Sequence, residues 1–313
     1  MTKGMKAMDK MQDVIKLLEE YHQEHIIKWM DKLDDENKRK LVEQIKNIDL
    51  HQILELYETT KKEMEIKENK IEEIKYLDKE KINPIEKERL DELAENVIKK
   101  SEYAVVTMAG GQGTRLEHQG PKGTFKLDVY GKGKYLFEIL AENLKEANDK
   151  YDVTIPWYIM TSKQNNEETY NFLEKNNYFG YDKDNVILFE QGELPILDMN
   201  GKLMIDKNGF IKEASDGNGG VFTSLRTSGA LADMKERGIK WIFIGGVDNV
   251  LLKMCDTTLL GMAIDKNVEV ASKSVVKANP HEKVGVFCKM NNHPKVIEYS
   301  ELPEKMAEEV DSN

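Results

Sequence analysis

The stretch YAVVTMAGGQGTRL at residues 103–116 decides the fold. Its first part, residues 103–109, is a short apolar run that stops at glycines, which is typical of a strand buried on both faces. Gly110, Gly111 and Gly113 then allow the backbone to approach a ligand closely and to direct successive N–H groups at an anion. The stretch therefore predicts a buried strand followed by a loop that binds phosphate.

Two cations, Arg115 and Lys122, add positive charge beside the glycines, and an Arg guanidinium suits bidentate contact with phosphate. The loop does not match the Walker A pattern. It also fails the dinucleotide-binding fingerprint, because Leu116 stands at the position of the third glycine. A tight turn with incidental glycines is the alternative, but three glycines in four residues with two cations close behind favour phosphate binding.

Outward from this strand, apolar runs alternate with helical stretches along the chain. Strands are predicted at residues 103–109, 157–161, 186–190 and 239–245, and helices at residues 136–147, 167–175 and 222–237. Further strands are predicted at residues 268–276, 284–290 and 295–299, the last pairing with the second across the Asn291-Asn292 turn. The alternation predicts an α/β fold with a mixed, mostly parallel sheet flanked by helices, whose ligands bind at the carboxyl ends of the strands.

Residues 1–100 differ from the rest and predict an all-helical N-terminal region, which leaves residues 101–313 for the α/β domain. Apolar residues from Met8 to Leu33 recur at three- and four-residue steps and predict one helical face, and a second helix begins near Leu41. Residues 61–100 are rich in Lys and Glu, which indicates a solvated surface with many ion pairs. No internal repeat is apparent.

The composition limits the functional class. The 46 Lys and Arg residues against 57 Asp and Glu residues give a net charge of −11, which argues against general nucleic-acid binding because phosphate contacts need a basic face. The apolar runs are too short to span a bilayer, and the first residues lack an apolar leader. Two cysteines, Cys255 and Cys288, cannot form a disulfide framework. We therefore expect a soluble, cytoplasmic protein without nucleic-acid or membrane partners.

GGQGTRL at residues 110–116, followed by GPKG at residues 120–123, resembles the signature of the eukaryotic-type UDP-N-acetylglucosamine pyrophosphorylases within the wider UDP-sugar pyrophosphorylase family. Further matching motifs follow in the order of the family: NYFG at 177–180, FEQ at 189–191, DGNGG at 216–220, VDN at 247–249, KVG at 283–285 and EYSE at 298–301. The glycine loop is more similar to the N-acetylhexosamine branch than to the glucose branch. The resemblance implies a Rossmann-like fold of the nucleotide-diphospho-sugar transferase type.

The chain departs from the pattern of the family at three places. Glu117 stands where the family usually has a glycine, and Ser215 where a proline usually precedes DGNGG. The chain ends at Asn313, whereas such enzymes continue through further strands and a C-terminal domain. The resemblance therefore implies an α/β domain that is incomplete at its C-terminus, for which a nucleotide-sugar binding module without turnover is an alternative.

The resemblance implies a nucleotidyltransferase that forms UDP-N-acetylglucosamine and pyrophosphate from UTP and N-acetylglucosamine 1-phosphate. In-line attack of the sugar-phosphate oxygen on the α-phosphorus of UTP needs positioning and charge neutralisation rather than a protein nucleophile. Arg115 and Lys122 are the predicted catalytic residues. A UDP-glucose or broad UDP-sugar pyrophosphorylase and an unrelated NTPase with a helical regulatory arm are alternatives.

The resemblance implies two sets of substrate-binding residues. The nucleotide-binding residues are Ala109, Gly110, Gly111, Gly113, Thr114, Gln191 and Gly217, and the sugar-binding residues are Asn218, Gly285 and Glu298. The amide of Gln191 offers a donor and an acceptor to the edge of uracil; a capped strand end is the alternative. For Glu298 the alternative is an exposed strand glutamate.

A metal site is predicted at Asp248, which follows the strand-like run WIFIGGV and is expected at the carboxyl edge of the sheet. Mg²⁺ is commonly held by one or two carboxylates together with phosphate oxygens, so a single carboxylate there suits Mg²⁺ or Mn²⁺. The alternative is an Asp that caps the next turn.

Overall fold

The computed structural model of the protein describes residues 3–61, 70–112, 117–129 and 131–309. The α-helices in these residues are, in chain order, α1 (Lys3–Glu20), α2 (Glu24–Met30), α3 (Asp35–Lys46), α4 (Leu50–Lys61), α5 (Pro84–Lys99), α6 (Leu136–Tyr151), α7 (Asn166–Lys175), α8 (Val221–Thr227), α9 (Ala230–Glu236), α10 (Thr257–Asp265) and α11 (Glu304–Ala307). The strands are β1 (Ile71–Glu72), β2 (Tyr103–Met108), β3 (Lys126–Val129), β4 (Lys132–Tyr135), β5 (Trp157–Thr161), β6 (Val186–Glu190), β7 (Glu193–Pro195), β8 (Glu213–Ser215), β9 (Trp241–Gly246), β10 (Val286–Met290) and β11 (His293–Ile297).

Four of the strands form a parallel sheet in the order β6-β5-β2-β9. The central strand β2 pairs with β5, where Val105 lies opposite Trp157, and with β9, where Tyr103 lies opposite Trp241. Parallel neighbours need crossover connections, and these connections place helices on the faces of the sheet. The predicted α/β fold with a mostly parallel sheet flanked by helices is confirmed.

Side chains of β2 alternate between two apolar cores, because successive residues of a strand point to opposite faces. Tyr103 and Val105 pack in a core that includes buried side chains of α5 and α6. Ala104 and Val106 pack in a second core with buried side chains of α8 and α9. Since helices cover both faces, the ends of the strands are the places where the sheet meets solvent.

The N-terminal helical region is present, with one more break than expected. The apolar face predicted from Met8 to Leu33 spans two helices, because His22 adopts a left-handed φ of 57° between α1 and α2. The next residue, Gln23, is 1 % exposed and hydrogen-bonds to a distant segment, which explains why the chain turns there. The domain boundary at residue 100 stays a prediction, although α5 lies before it and packs in the core of the α/β sheet.

A second, antiparallel sheet has the order β1-β10-β11. β10 and β11 form the hairpin that was predicted across Asn291-Asn292, and both asparagines have positive φ values, 51° and 67°, as a tight hairpin turn requires. β1 pairs with β10, so the region predicted to be all-helical contributes a short strand to this sheet.

Two other predicted segments differ in the structure. The long helix at residues 222–237 is divided into α8 and α9, because Gly229 takes a left-handed φ of 87° between them. The strand predicted at residues 268–276 does not form. Its Val275 and Val276 are 92 % and 94 % exposed, and alternating apolar residues make a strand only where a neighbouring strand pairs with them.

Residues 196–212, here called the double-turn segment, connect β7 to β8 and contain two copies of one pattern, LDMNGKL at 197–203 and IDKNGFI at 205–211. The expectation that the chain has no internal repeat is therefore wrong. In each copy the aspartate accepts backbone N–H groups across a turn, Asp198 in the first copy and Asp206 in the second. Apolar residues of both copies pack in a core formed with α1–α4.

Among the residues described above, no helix has both the length and the apolar character needed to cross a membrane.

The packing of α10 against α5 leads to a test. A Cβ on Gly261 of α10 would lie 1.9 Å from the backbone oxygen of Leu90 in α5. We expect Gly261→Ala to lower the free energy of unfolding by about 1–3 kcal/mol, as overpacking does, although alanine favours a helix over glycine by about 1 kcal/mol. Urea denaturation measures the change.

Gly219→Ala is the matched control, because a Cβ at Gly219 would meet nothing within 4 Å. A Gly261→Ala variant as stable as the control variant would show that α5 and α10 can separate without cost.

Candidate active site

The carboxyl ends of the parallel strands lie along one edge of the sheet, and a polar loop follows each of them. From β2 the chain adds β5 and then β6 on one side, and it later returns to place β9 on the other side of β2. The order of the strands therefore reverses beside β2, and ligands of open α/β sheets bind at such a position. The loops after β2 and β9 flank it.

The glycine loop after β2 provides room for two side chains. A Cβ on Gly110 would lie 2.4 Å from Oε1 of Gln191, and a Cβ on Gly111 would lie 3.2 Å from Cε of Lys122. Lys122 also donates its backbone N–H to the Gly111 carbonyl at 3.3 Å. The two glycines therefore bring Gln191 and Lys122 against the same loop.

The other predicted residues of the glycine loop divide into two groups. Ala109 is buried and donates its N–H to the Met160 carbonyl at 2.7 Å, which attaches the start of the loop to β5. Gly113, Thr114 and Arg115 lie outside the described residues, so their predicted contacts with phosphate stay predictions.

Asn165, which the sequence analysis did not select, holds the glycine loop from the side of β5. Its Nδ2 donates to the Ala109 carbonyl at 3.1 Å and to the Gly111 carbonyl at 3.4 Å, and its Oδ1 accepts the Ser162 N–H at 2.8 Å. The residue is fully buried. The available signal was a polar stretch, Ser162 to Asn166, directly after a buried strand at the carboxyl edge.

Lys122 and Asp248 form an ion pair between the loops after β2 and β9. Nζ of Lys122 donates to Oδ2 of Asp248 at 2.9 Å. The lysine side chain is 23 % exposed and the aspartate side chain 51 %, so the carboxylate also faces solvent. An ammonium group has three donors, which allows Lys122 to contact a phosphate oxygen in addition to the carboxylate. The structure thus brings a predicted catalytic residue and the predicted metal ligand together.

Gln191 and Gly217, predicted to bind the nucleotide, lie on neighbouring loops. Gln191 follows β6, is 8 % exposed and donates its backbone N–H to the Thr161 carbonyl at 2.8 Å. Gly217 follows β8 and has a left-handed φ of 80°, which favours glycine. The backbone bond from the Asp216 N–H to the Gly192 carbonyl, 3.0 Å long, joins the two loops. Asn218, predicted to bind the sugar, is exposed just after them.

Asp216 is a second residue that was not selected from the sequence, although it begins the DGNGG motif. Its carboxylate occupies the space where a Cβ on Gly192 or Gly220 would be, 2.5 Å and 2.2 Å from Oδ2. Its Oδ1 is buried and accepts no hydrogen bond in the part of the chain that the structure describes. Burial raises the pKa of the Asp216 carboxyl above its ordinary value.

Gly285 and Glu298, also predicted to bind the sugar, lie beside each other at the end of the β10–β11 hairpin. A Cβ on Gly285 would lie 3.4 Å from Oε1 of Glu298, and the glutamate is exposed. This pair belongs to the antiparallel sheet rather than to the edge of the parallel sheet. The structure therefore places the two residues side by side, and their contact with a sugar stays a prediction.

The carboxylate near the glycine loop suits a metal site that has few protein ligands. Within residues 3–61, 70–112, 117–129 and 131–309, no three His, Cys, Asp or Glu side chains form a group that could hold a metal ion. A half-exposed single carboxylate such as Asp248 suits an ion that takes its remaining ligands from phosphates and water, as Mg²⁺ does.

Comparison with known proteins places the chain in one family. Residues 50–313 match the family described as UTP–glucose-1-phosphate uridylyltransferase, whose members act on UTP and a sugar 1-phosphate. The chain is 35 % identical to the probable UDP-N-acetylglucosamine pyrophosphorylase of Schizosaccharomyces pombe, with 95 % of this chain and 65 % of that protein covered. It is 36 % identical to UDP-N-acetylglucosamine diphosphorylase 2 of Arabidopsis thaliana, with 95 % of this chain and 62 % of that protein covered.

Among solved structures, the uridine diphosphate N-acetylglucosamine pyrophosphorylase of Trypanosoma brucei, crystallised with an inhibitor, resembles the chain with a TM-score of 0.78 and 28 % identity. The match covers 97 % of this chain and 63 % of that one. The chain thus spans less than two thirds of the length of each of these three relatives.

The buried carboxyl of Asp216 predicts a pH dependence. Because its native pKa is raised, its contribution to stability is fully present below the ordinary value of 3.8 and is lost as the pH rises through the native value. Asn keeps the size of the side chain and cannot ionise. We expect Asp216→Asn to gain stability relative to the parent as the pH rises from about 4 to about 8, measured as the difference between the two thermal midpoints.

Asp198→Asn is the control of opposite sign. Backbone N–H groups of Lys202 and Asn200 lower the pKa of Asp198, so this variant loses stability relative to the parent as the pH rises toward the ordinary value of 3.8 and changes little between about 4 and about 8. If the difference in thermal midpoint between Asp216→Asn and the parent does not change with pH, burial does not raise the pKa of the Asp216 carboxyl.

Proposed function

This chain belongs to the UTP–glucose-1-phosphate uridylyltransferase family, and we propose that it transfers a uridylyl group from UTP to N-acetylglucosamine 1-phosphate. The products are UDP-N-acetylglucosamine and pyrophosphate. The observation that carries the proposal is the Lys122–Asp248 pair beside the glycine loop, where the strand order reverses. The choice of N-acetylglucosamine is supported by the names of the relatives in Schizosaccharomyces pombe and Arabidopsis thaliana.

In the proposed reaction an oxygen of the sugar phosphate attacks the α-phosphorus of UTP. The new bond joins this oxygen to the α-phosphorus. The bond from the α-phosphorus to the oxygen that bridges the α- and β-phosphorus atoms breaks, and pyrophosphate leaves with that electron pair. The attacking oxygen is already anionic, so the protein needs no general base. Its task is to bring two anions together and to balance the charge of the transition state.

Lys122 supplies positive charge for this task. Its backbone is held at Gly111 and its Nζ at Asp248, so the ammonium is positioned before a substrate arrives. Backbone N–H groups of the glycine loop are the second source of positive potential. Arg115, in the same loop by sequence, is proposed to add a bidentate phosphate contact.

Asp248 is proposed to hold Mg²⁺ or Mn²⁺ through its exposed carboxylate. When bound, such an ion neutralises phosphate charge and orients the phosphates. Without the ion, the same carboxylate repels phosphate and holds the ammonium of Lys122 in place. Asp248 therefore contacts the ammonium of Lys122 and is also the proposed ligand of the metal.

Gln191 is proposed to recognise uracil, and Asn218, Gly285 and Glu298 are proposed to bind the sugar. The Gln191 amide lies against Gly110 and offers one donor and one acceptor, which complement O4 and N3–H of uracil. The Glu298 carboxylate lies at van der Waals distance from the position that a Cβ on Gly285 would take, which supports a shared role for this pair.

We further propose a cytoplasmic enzyme whose partners are its two small substrates rather than nucleic acid. The net charge of −11 and two cysteines that form no disulfide support this setting. Cell fractionation with an antibody against the chain tests the location.

The central test is exchange of labelled pyrophosphate into UTP by this chain in the presence of UDP-N-acetylglucosamine, with Mg²⁺ present and after its removal with a chelator. We expect exchange that needs Mg²⁺ and that falls by orders of magnitude in Asp248→Asn. Tight binding of UDP-N-acetylglucosamine without exchange would instead identify a binding module.

Lys122→Met separates the two members of the ion pair. If Asp248 holds the metal, Asp248→Asn raises the Mg²⁺ concentration needed for half-maximal rate. Lys122→Met, in contrast, lowers the rate without changing that concentration. Equal Mg²⁺ dependence in both variants would mean that Asp248 acts only through Lys122.

A second test concerns the base. We expect Gln191→Leu to reduce the preference for UTP over CTP by about 3- to 10-fold, because one or two hydrogen bonds to uracil are lost. Competition binding with the two nucleotides measures it. Gln164→Leu, at an exposed position, is the control. Unchanged base selectivity in Gln191→Leu would make Gln191 a structural residue.

A further inference from the structure

Two glutamines of the N-terminal helical region hold the double-turn segment, and the side-chain amide of each makes a pair of hydrogen bonds to its backbone. Nε2 of Gln23 donates to the Gly201 carbonyl at 3.0 Å, and its Oε1 accepts the Leu203 N–H at 2.9 Å. Gln44 bonds to both backbone groups of Ile211, each at 2.9 Å. Each side-chain amide thus pairs with one backbone N–H and one backbone carbonyl of the segment, as a neighbouring strand would.

Three further side chains of the same region bond to the backbone of the double-turn segment. Trp29 Nε1 donates to the Gly209 carbonyl at 3.1 Å, and Tyr57 donates its hydroxyl to the Met199 carbonyl at 2.7 Å. His25 Nε2 lies 2.8 Å from the Leu203 carbonyl, which accepts a hydrogen bond from it. All these contacts join residues of α2–α4, or the turn before α2, to residues at least 140 positions away.

The segment is continuous with the loops that carry Gln191 and Gly217. The Ile196 N–H donates to the Lys212 carbonyl at 2.8 Å, which extends the β7–β8 ladder into the double-turn segment. At the other end of the ladder, the Asp216 N–H donates to the Gly192 carbonyl. A row of backbone hydrogen bonds therefore leads from the residue next to Ile211 to the residues next to Gln191 and Gly217.

β7 and β8 are short. Each has three residues and, within the part of the chain that the structure describes, pairs only with the other; two-stranded ladders of this size are not stable by themselves. Leu203 and Ile211, by contrast, are each 2 % exposed in the core formed with α1–α4. The ladder is therefore supported at two places. The N-terminal helices hold it at the double-turn segment, and bonds from the Gln191 N–H to the Thr161 carbonyl and from the Gly192 N–H to Ser224 Oγ hold it at the site.

We propose that Gln23 and Gln44 are positioning residues for the two loops that receive the base. By holding the double-turn segment, they set the register of β7 against β8 and so the spacing between Gln191 and Gly217. The proposal rests on the nucleotide site proposed above. It makes the N-terminal helical region part of the substrate-binding apparatus, although its helices contribute no predicted substrate contact.

The test is amide hydrogen exchange on the ligand-free chain, comparing the parent with Gln44→Ala. Gln44 is half-buried, so its replacement leaves the helix core intact. We expect exchange at residues 191–195 and 213–217 to become about fivefold faster or more, the range in which coupled sites respond, while exchange in β5 stays unchanged. Gln52→Ala, at an exposed position of α4, makes the same chemical change and should alter neither region.

Calorimetry with UTP and Mg²⁺ then measures the consequence for the site. We expect Gln44→Ala to weaken binding by about fivefold or more and Gln23→Ala/Gln44→Ala to weaken it further, with Gln52→Ala like the parent. The proposal is overturned if faster exchange in Gln44→Ala is confined to residues 196–212, if it extends equally to β5, or if the affinity for UTP is unchanged. A parent chain that binds no UTP would refute the proposed function, while the exchange data would still decide the positioning role.

Discussion

The whole site depends on the burial of β2 on both faces. Alternate residues of this strand enter two different apolar cores, and even Thr107 is buried, where it accepts a hydrogen bond from Trp157 Nε1 at 2.8 Å. A strand covered on both faces leaves its polar backbone accessible only at its ends. The glycine loop begins at the carboxyl end, and the loops after β5, β6 and β9 meet it there because the strands are parallel.

Glycines at this edge act largely by leaving space for side chains from other loops. Gly110 and Gly111 leave room for Gln191 and Lys122, and Gly192 and Gly220 leave room for the carboxylate of Asp216. From the sequence, these glycines are predicted to allow close approach of a phosphate. The structure adds that the same glycines leave space for the side chains of Gln191, Lys122 and Asp216.

The charge of the site contrasts with the charge of the chain. A protein with a net charge of −11 does not attract a nucleotide through its overall field, so affinity has to come from local groups. In the proposed site Lys122 would be such a group, and its pairing with Asp248 keeps it in place while neutralising part of its charge. A divalent cation at Asp248 would restore positive potential, which gives a physical reason for a metal in the proposed reaction.

The sequence alone determined the elements that depend on local properties. β5 and β6 have the predicted bounds, because apolar periodicity and strand composition are properties of neighbouring residues, and the glycine loop, Lys122 and Asp248 were recognised from motifs of a few residues. The tertiary structure decided which distant groups meet. The turn at His22 exists beside a buried Gln23 that bonds to a residue 178 positions away, and Lys122 meets Asp248 across 126 positions. It also showed that residues 268–276 form no strand, that Asn165 contacts the glycine loop and that Asp216 packs against Gly192 and Gly220, because pairing and burial depend on partners that no local pattern identifies.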